Sequence, residues 1–188
     1  MLPPSDPAHT ARVRIFMMSG EAPFAGHPNI GTATVLAWRG ELFGKPIGDT
    51  MVFEEIAGLV GITVTRDGEG RPNGAQLVAP AQFAKGAEVA PSDVATALGL
   101  DVAQIETKHH TPVVGSVGLP FVLAELTDRA ALEQASGHSS LVWETLQQLE
   151  LGGTPSAGVH AYIRAEDGDS VDIRARMLEV GLEDPATG

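Results

Sequence analysis

The sequence predicts an α+β protein with two strand-rich halves, each running toward a helix start. Three observations carry this. Short runs of alternating apolar and polar residues recur between turn signals, which marks half-buried strands. One helix, Asn29 to Trp38, has no charged residue on any face, so it is expected to be buried all round. A second helix-opening signal, Asp184-Pro185, stands at the far end of the chain, with Asp as the cap and Pro in the first turn.

The elements follow in order. Residues 11–16 alternate, with Val13 and Ile15 on one side and Arg12 and Arg14 on the other, and predict a strand. Pro28 opens the charge-free helix. Its small residues, Gly31, Thr32, Ala33, Thr34 and Ala37, would let a sheet close around it. Residues 51–56 and 60–65 predict two strands with Gly58 in the turn, and at least one of Glu54 and Glu55 should face solvent. Asp67-Gly68-Glu69-Gly70 and Pro72-Asn73-Gly74 predict turns, followed by a strand over Ala75 to Val78. Ser92 to Leu98 predicts a short helix capped by Ser92. A boundary is expected near residues 106–112, dividing the chain into 1–108 and 109–188. Beyond it, strands are expected at Phe121 to Leu126, Val159 to Arg164 and Val171 to Met177. Helices are expected at Asp128 to Ala135 and Ser139 to Leu149.

Composition excludes several classes. Lys and Arg number 12 against 24 acidic residues, a net charge of -12, and no basic cluster invites a nucleic acid. With no cysteine, thiol nucleophiles, disulfides and cysteine-bound metals are excluded for these residues. No apolar run approaches the ~18–20 residues of a membrane span, and the first residues lack the features of a signal peptide, so a cytoplasmic location is expected.

Gly26 and His27 stand where the buried helix begins, where free amides and the positive dipole end favour an anion and an imidazole can move a proton. Glu21, which precedes the tight Pro23-Phe24 turn, is expected to be structural. His109-His110 is expected to be part of a linker, because adjacent histidines on a strand point apart and no carboxylate stands at metal-ligand spacing. Asp167-Gly168-Asp169 lacks the remaining ligands of a calcium loop and is expected to be a hairpin turn.

Two motifs carry a resemblance. Gly20 to Ala33 is similar to the pattern G-E-x-P-F-A-G-H-P-x-x-G-T-A, and Glu183 to Gly188 to the start of E-D-P-A-T-G-S-A. Val117-Gly118-Leu119-Pro120-Phe121 and Arg176-Met177 also match at the expected places. These are patterns of the PhzF-like, phenazine-biosynthesis-type isomerases. The resemblance implies two domains like those of diaminopimelate epimerase, each a curved, mostly antiparallel sheet around a central helix, with the family's active site in the cleft between the domains. It implies a cofactor-independent isomerase, without metal, that moves a proton and a double bond, or epimerises, next to a carboxylate of a small metabolite. His27 and Asp184 take the family's catalytic positions, and Gly26, Thr187 and Gly188 its substrate-binding positions.

The family's catalytic glutamate lies in a Ser-Glu-Thr-x-Phe segment that would precede residue 1, and its serine would follow Gly188. The first domain is therefore expected to lack its first strand and helix, and the second to stop as its central helix begins. The 188-residue stretch by itself is expected to be inactive. The alternative is an inactive family member that serves as a ligand-binding or interaction protein. The expected partner is a small carboxylate-bearing metabolite, with a homodimer left open.

Overall fold

The computed structural model describes residues 1–188 except 18–19, 138–143, 145, 147, 166–168, 180–181 and 185–188. The chain forms two compact units, Met1–Gln82 and Phe83–Gly188.

In the first unit, β1 (Ala11–Arg12) pairs in parallel with the later strand β6 (Thr50–Glu55), and β2 (Ile15–Met17) forms a separate hairpin with β3 (Gly20–Ala22). The single strand expected at 11–16 is thus split between two partners. Val13, buried between them, donates its N–H to the Glu54 carbonyl. Helix α1 (Gly26–Arg39) follows. The hairpin of β4 (Glu41–Leu42) and β5 (Lys45–Pro46) turns through Phe43 and Gly44, both at positive φ. Then come β6 (Thr50–Glu55), β7 (Gly58–Arg66) and β8 (Pro72–Leu77), completing a sheet of order β1-β6-β7-β8.

Alternation in β7 sends Val60, Ile62 and Val64 into a core with Met51 and Phe53, against which Ala33 and Leu36 of α1 are packed. The Asp67–Gly70 turn forms as expected, because the Asp67 carboxylate accepts the N–H groups of Glu69 and Arg71. Pro72-Asn73-Gly74 is not a turn: it begins β8. β8 lies at the sheet edge, where a proline at the first strand position leaves no ladder bond unmade.

The expectation of a helix buried all round is corrected. Asn29, Ala33 and Leu36 are buried along one stripe, while Val35 and Trp38 are 48% and 64% exposed. Trp38 uses its indole N–H on the Pro72 carbonyl, 2.7 Å away. Glu54 and Glu55 are both part-buried.

The second unit begins with β9 (Ala84–Glu88) and α2 (Pro91–Leu98). Ala90, not Ser92, is the residue before α2, and Pro91 takes its first position. β10 (Val113–Ser116), β11 (Pro120–Glu125) and α3 (Arg129–Gln134) follow, with the Asp128 carboxylate capping the Ala131 N–H at 2.8 Å. β12 (Glu150–Leu151) and β13 (Thr154–Pro155) make a small hairpin, before β14 (Val159–Arg164), β15 (Ile173–Glu179) and β16 (Leu182–Asp184).

The six-stranded sheet has the order β16-β15-β14-β11-β10-β9 and is antiparallel apart from the β11–β14 pair. Val122, Ala124, Val159, Ala161 and Ile163 meet Val94 and Leu98 of α2 and Leu132 of α3 in its core. The contacts place residues 83–108 in the second unit, ahead of the expected 108/109 division, because β9 pairs with β10 and α2 packs into this core. The strand expected at Val171 starts at Ile173. Met177 is buried, while Val171 and Ile173 are exposed. Most of the expected helix over Ser139 to Leu149, most of the Asp167–Asp169 turn and the expected helix after Asp184 lie outside the described residues. Among the described residues no helix is long and apolar enough to cross a membrane.

Candidate active site

The entry to α1 is built by three local devices. The β2–β3 hairpin is held across its strands by Arg14, whose Nε and Nη2 donate to Glu21 Oε1 and Oε2 at 2.8 and 2.6 Å. Glu21 is therefore structural, and Arg14 draws its carboxyl below the usual range. Phe24 anchors the next loop in the core. The Pro23 carbonyl accepts the Ala57 N–H at 3.0 Å, which ties this loop to the β6–β7 turn.

Ala25 is extended and lacks a capping side chain, so the helix opens at Gly26 with its first amides unclaimed by the helix itself. No acidic residue stands in the first turn. His27 is exposed, beside Gly26 and one residue before Pro28. This arrangement suits an anion and places a proton-carrying ring next to it.

Asn29 supports the turn from inside. It is fully buried, and its Nδ2 donates to the Ala25 carbonyl at 3.0 Å. Its Oδ1 has no partner, and neither do the two shielded oxygens of Glu55. Burial pushes the Glu55 carboxyl up, outweighing the downward pull of the Asn29 amide. The charge-free look of the helix sequence gave no sign of this pair.

In the second unit, Asp184 ends β16, paired in register with Met177 of β15. The preceding residue, Glu183, is gripped by Arg176, with Nε–Oε1 and Nη2–Oε2 distances of 2.8 and 2.7 Å. The other arm of Arg176, Nη1, donates to the carbonyls of Leu132, Glu133 and Ala135 at the C-terminal end of α3, at 2.6, 3.2 and 2.9 Å. One guanidinium thus joins a helix end to the strand that carries Asp184, which gives the Arg176-Met177 match a physical meaning. Beside Asp184, the Glu179 carboxyl is raised first by burial and then by the charge of Asp184.

Gly26 and His27 belong to the first unit and Asp184 to the second. Thr187 and Gly188 lie outside the described residues.

His109 and His110 are not a plain linker. Glu125, 4% exposed at its side chain, receives His109 Nδ1 and Arg164 Nε on Oε1, each at 2.9 Å. His110 Nδ1 lies 2.7 Å from the Thr111 carbonyl, and its Nε2 lies 2.6 Å from the Tyr162 hydroxyl. The Thr111 carbonyl can only accept, so Nδ1 carries a proton. In the neutral ring Nε2 then accepts from Tyr162, whose oxygen is 3.3 Å from Glu125 Oε2. Burial and the Glu125 charge raise the Tyr162 pKa. Glu125 lies well along the sequence from both histidines, and spacing rules based on near neighbours do not detect it. Among the described residues no group of three or more His, Cys, Asp or Glu side chains is arranged to hold a metal ion.

The phenazine biosynthesis-like protein model, PhzC-PhzF, matches residues 1–188, the whole chain. The chain belongs to this family. An uncharacterized isomerase from Mesorhizobium japonicum is 34% identical over 197 residues, an alignment that covers 100% of this chain and 61% of that one. A PhzF-family protein from Bacillus anthracis has the same fold, with a TM-score of 0.69 at 24% identity, over 94% of this chain and 57% of the other. A predicted epimerase from Pseudomonas aeruginosa gives a TM-score of 0.68 at 28% identity, over 97% and 59%. A hydroxyproline epimerase from Agrobacterium vitis, with trans-4-hydroxy-L-proline bound, shares the fold at TM-score 0.58 and 18% identity, over 94% and 50%. The PhzF-family chain thus spans about three-fifths of the length of its curated relative. The fold class expected from the sequence, α+β and of the diaminopimelate-epimerase type, is the observed one.

Proposed function

We propose that the protein to which this chain belongs is a cofactor-independent isomerase acting on a small carboxylate-bearing metabolite. The observation that carries the reading is the start of α1. An exposed histidine follows a glycine at a helix N-terminus free of acidic residues, in a chain whose whole length matches the family. The α1 amides, with Gly26 among them, would hold the substrate carboxylate. One C–H bond beside that carboxylate breaks, the proton passes to a side-chain base, and a proton returns to a carbon of the same molecule. The electron pair either moves a double bond or restores the carbon with opposite configuration, so no oxidant or leaving group is needed. His27 and Asp184 are the proton-handling groups, and Thr187 and Gly188 the further substrate contacts. The isomerase and epimerase among the similar proteins support this chemistry.

The test is solvent-deuterium exchange into a panel of small carboxylates, using the full-length protein. His27→Asn is expected to slow exchange by about 10²–10⁴-fold, the usual contribution of a positioned acid or base. Exchange at the parent rate in both His27→Asn and Asp184→Asn would sink the proposal.

A further inference from the structure

The two histidines of the 106–111 segment reach a row of groups that the proposed reaction does not use. The ends of this segment are fastened by backbone. The Glu106 N–H donates to the Glu125 carbonyl at 2.9 Å, and the Pro112 carbonyl accepts the Val89 N–H at 2.7 Å. Between these points side chains join the segment to the sheet, His109 to Glu125 and His110 to Tyr162. Glu125 and Tyr162 are register partners in the parallel β11–β14 pair, so they stand side by side on one face. The His110 and Tyr162 rings stack, with centroids 6.0 Å apart and 18° between their planes.

The Tyr162 hydroxyl has one hydrogen and two acceptors in reach, His110 Nε2 at 2.6 Å and Glu125 Oε2 at 3.3 Å. His110 decides between them. Its Nδ1–H is committed to the Thr111 carbonyl, 2.7 Å away, so the neutral ring offers a lone pair at Nε2 and the hydroxyl donates there. When a proton from solvent binds Nε2, the ring carries a donor on both sides. The Tyr162 oxygen must then accept, and its hydrogen turns to the other acceptor, Glu125 Oε2. One proton thus reverses the row, and the buried carboxylate gains a donor. The charged and titratable groups around it are Glu125 on β11, Arg164 and His160 on the same face of β14, and Glu106, Lys108 and His109 on the segment itself. β15 sets the uncharged Ala175 opposite Tyr162.

We propose that His110, Tyr162 and Glu125 form a pH-sensitive latch, in which a second proton on the His110 ring turns the Tyr162 hydroxyl from His110 onto Glu125 and tightens the hold on residues 106–111. In the protonated direction His110 donates to Tyr162 and Tyr162 to Glu125, one bond more than in the neutral direction. Imidazole is the side chain that ordinarily titrates between pH 5 and 8, so the latch works within that range.

The test uses the full-length protein labelled with carbon-13 at tyrosine Cζ, whose resonance follows the hydrogen bonding of the hydroxyl. Tyr162→Phe identifies the Tyr162 signal by its loss. Between pH 8 and 5 that signal is expected to move in one step, at the same midpoint as the His110 ring carbons. His110→Gln is expected to abolish the step, while His109→Gln and His160→Gln leave it in place. Protection of the 107–111 amides, corrected for the intrinsic pH dependence of exchange, is expected to rise about fivefold on the acid side, the factor of one modest hydrogen bond. Tyr162→Phe should remove that rise. A His110 ring that does not titrate in this range, or a Tyr162 signal that stays flat while His110 titrates, overturns the proposal. So does a step that survives His110→Gln or disappears with either of the other two histidine variants, and so does protection that is unchanged by acid or equally raised in Tyr162→Phe.

Discussion

Replacing Glu125 by Ala tests how much the second unit depends on its buried carboxylate. The structure supplies the terms. Two charge-assisted bonds reach Oε1, from His109 and Arg164, and a weak approach at 3.3 Å reaches Oε2 from Tyr162. Bonds to a charged group contribute about 1.5–3 kcal/mol each when sheltered. Here His109 and Arg164 are 40% and 56% exposed at their side chains, so both rehydrate once the carboxylate is gone, and each bond is discounted. Loss of the one buried methylene adds roughly 0.8 kcal/mol. The sum is a loss of about 2–3 kcal/mol, below the 3–5 kcal/mol expected when a charge is stranded in a core. Chemical denaturation monitored by circular dichroism measures it. In a double-mutant cycle with Arg164→Ala, the coupling is expected to stay below about 1 kcal/mol. A loss under about 0.5 kcal/mol for Glu125→Ala, or an equal loss for Arg164→Ala alone, would refute the reasoning.

Three other outcomes are expected. Glu54 is lowered to about 2 by the N–H groups of Asp6 and Ser5 and by His9, so the stability it contributes is present above its unfolded value of 4.5 and fades as pH falls toward 2. Amide exchange at Ser5 and Asp6 should speed up across that window, and Glu54→Gln should remove the pH dependence. Phe53→Ala, at a fully buried position, should destabilise the first unit by about 3–5 kcal/mol in denaturant titration. Gly158→Ala should lower the melting temperature, because a Cβ there would lie 2.6 Å from the Leu178 carbonyl oxygen in the adjacent strand, a contact relieved only by moving backbone; an unchanged melting temperature would refute it.

The readable parts of the fold were those governed by near neighbours. Val60, Ile62 and Val64 alternate because one face of β7 is core, and that period survives in the sequence. Pro28 and the small residues after it marked the start of α1 within two residues. Asp128 announced α3 by the bond its carboxylate makes three residues on. Where the reading missed, a distant partner decided the matter. Pro72 to Gly74 resembles a turn until β7 is present to pair with it. His109 and His110 resemble a linker until Glu125 and Tyr162 arrive from β11 and β14. In the candidate site, Gly26 and His27 were found through their motif. The support from Asn29, and the grip of Arg176 on α3, depend on groups brought together by the fold.

The parallel pairing of β11 with β14 has a consequence in time. Strands β6, β7 and β8 follow one another through short turns, so each can pair as soon as its neighbour forms, and isolated hairpins close in about 1–10 μs. Val122 must instead find Val159 across a long intervening stretch that includes α3 and the β12–β13 hairpin. The loop entropy of that crossover is lost before its contacts form, which makes such pairings slow. In a refolding experiment, probes on the first unit's meander should settle early. The burial of Val122 and Val159 should define the late phase, and the strand that carries Asp184 should be ordered only after it.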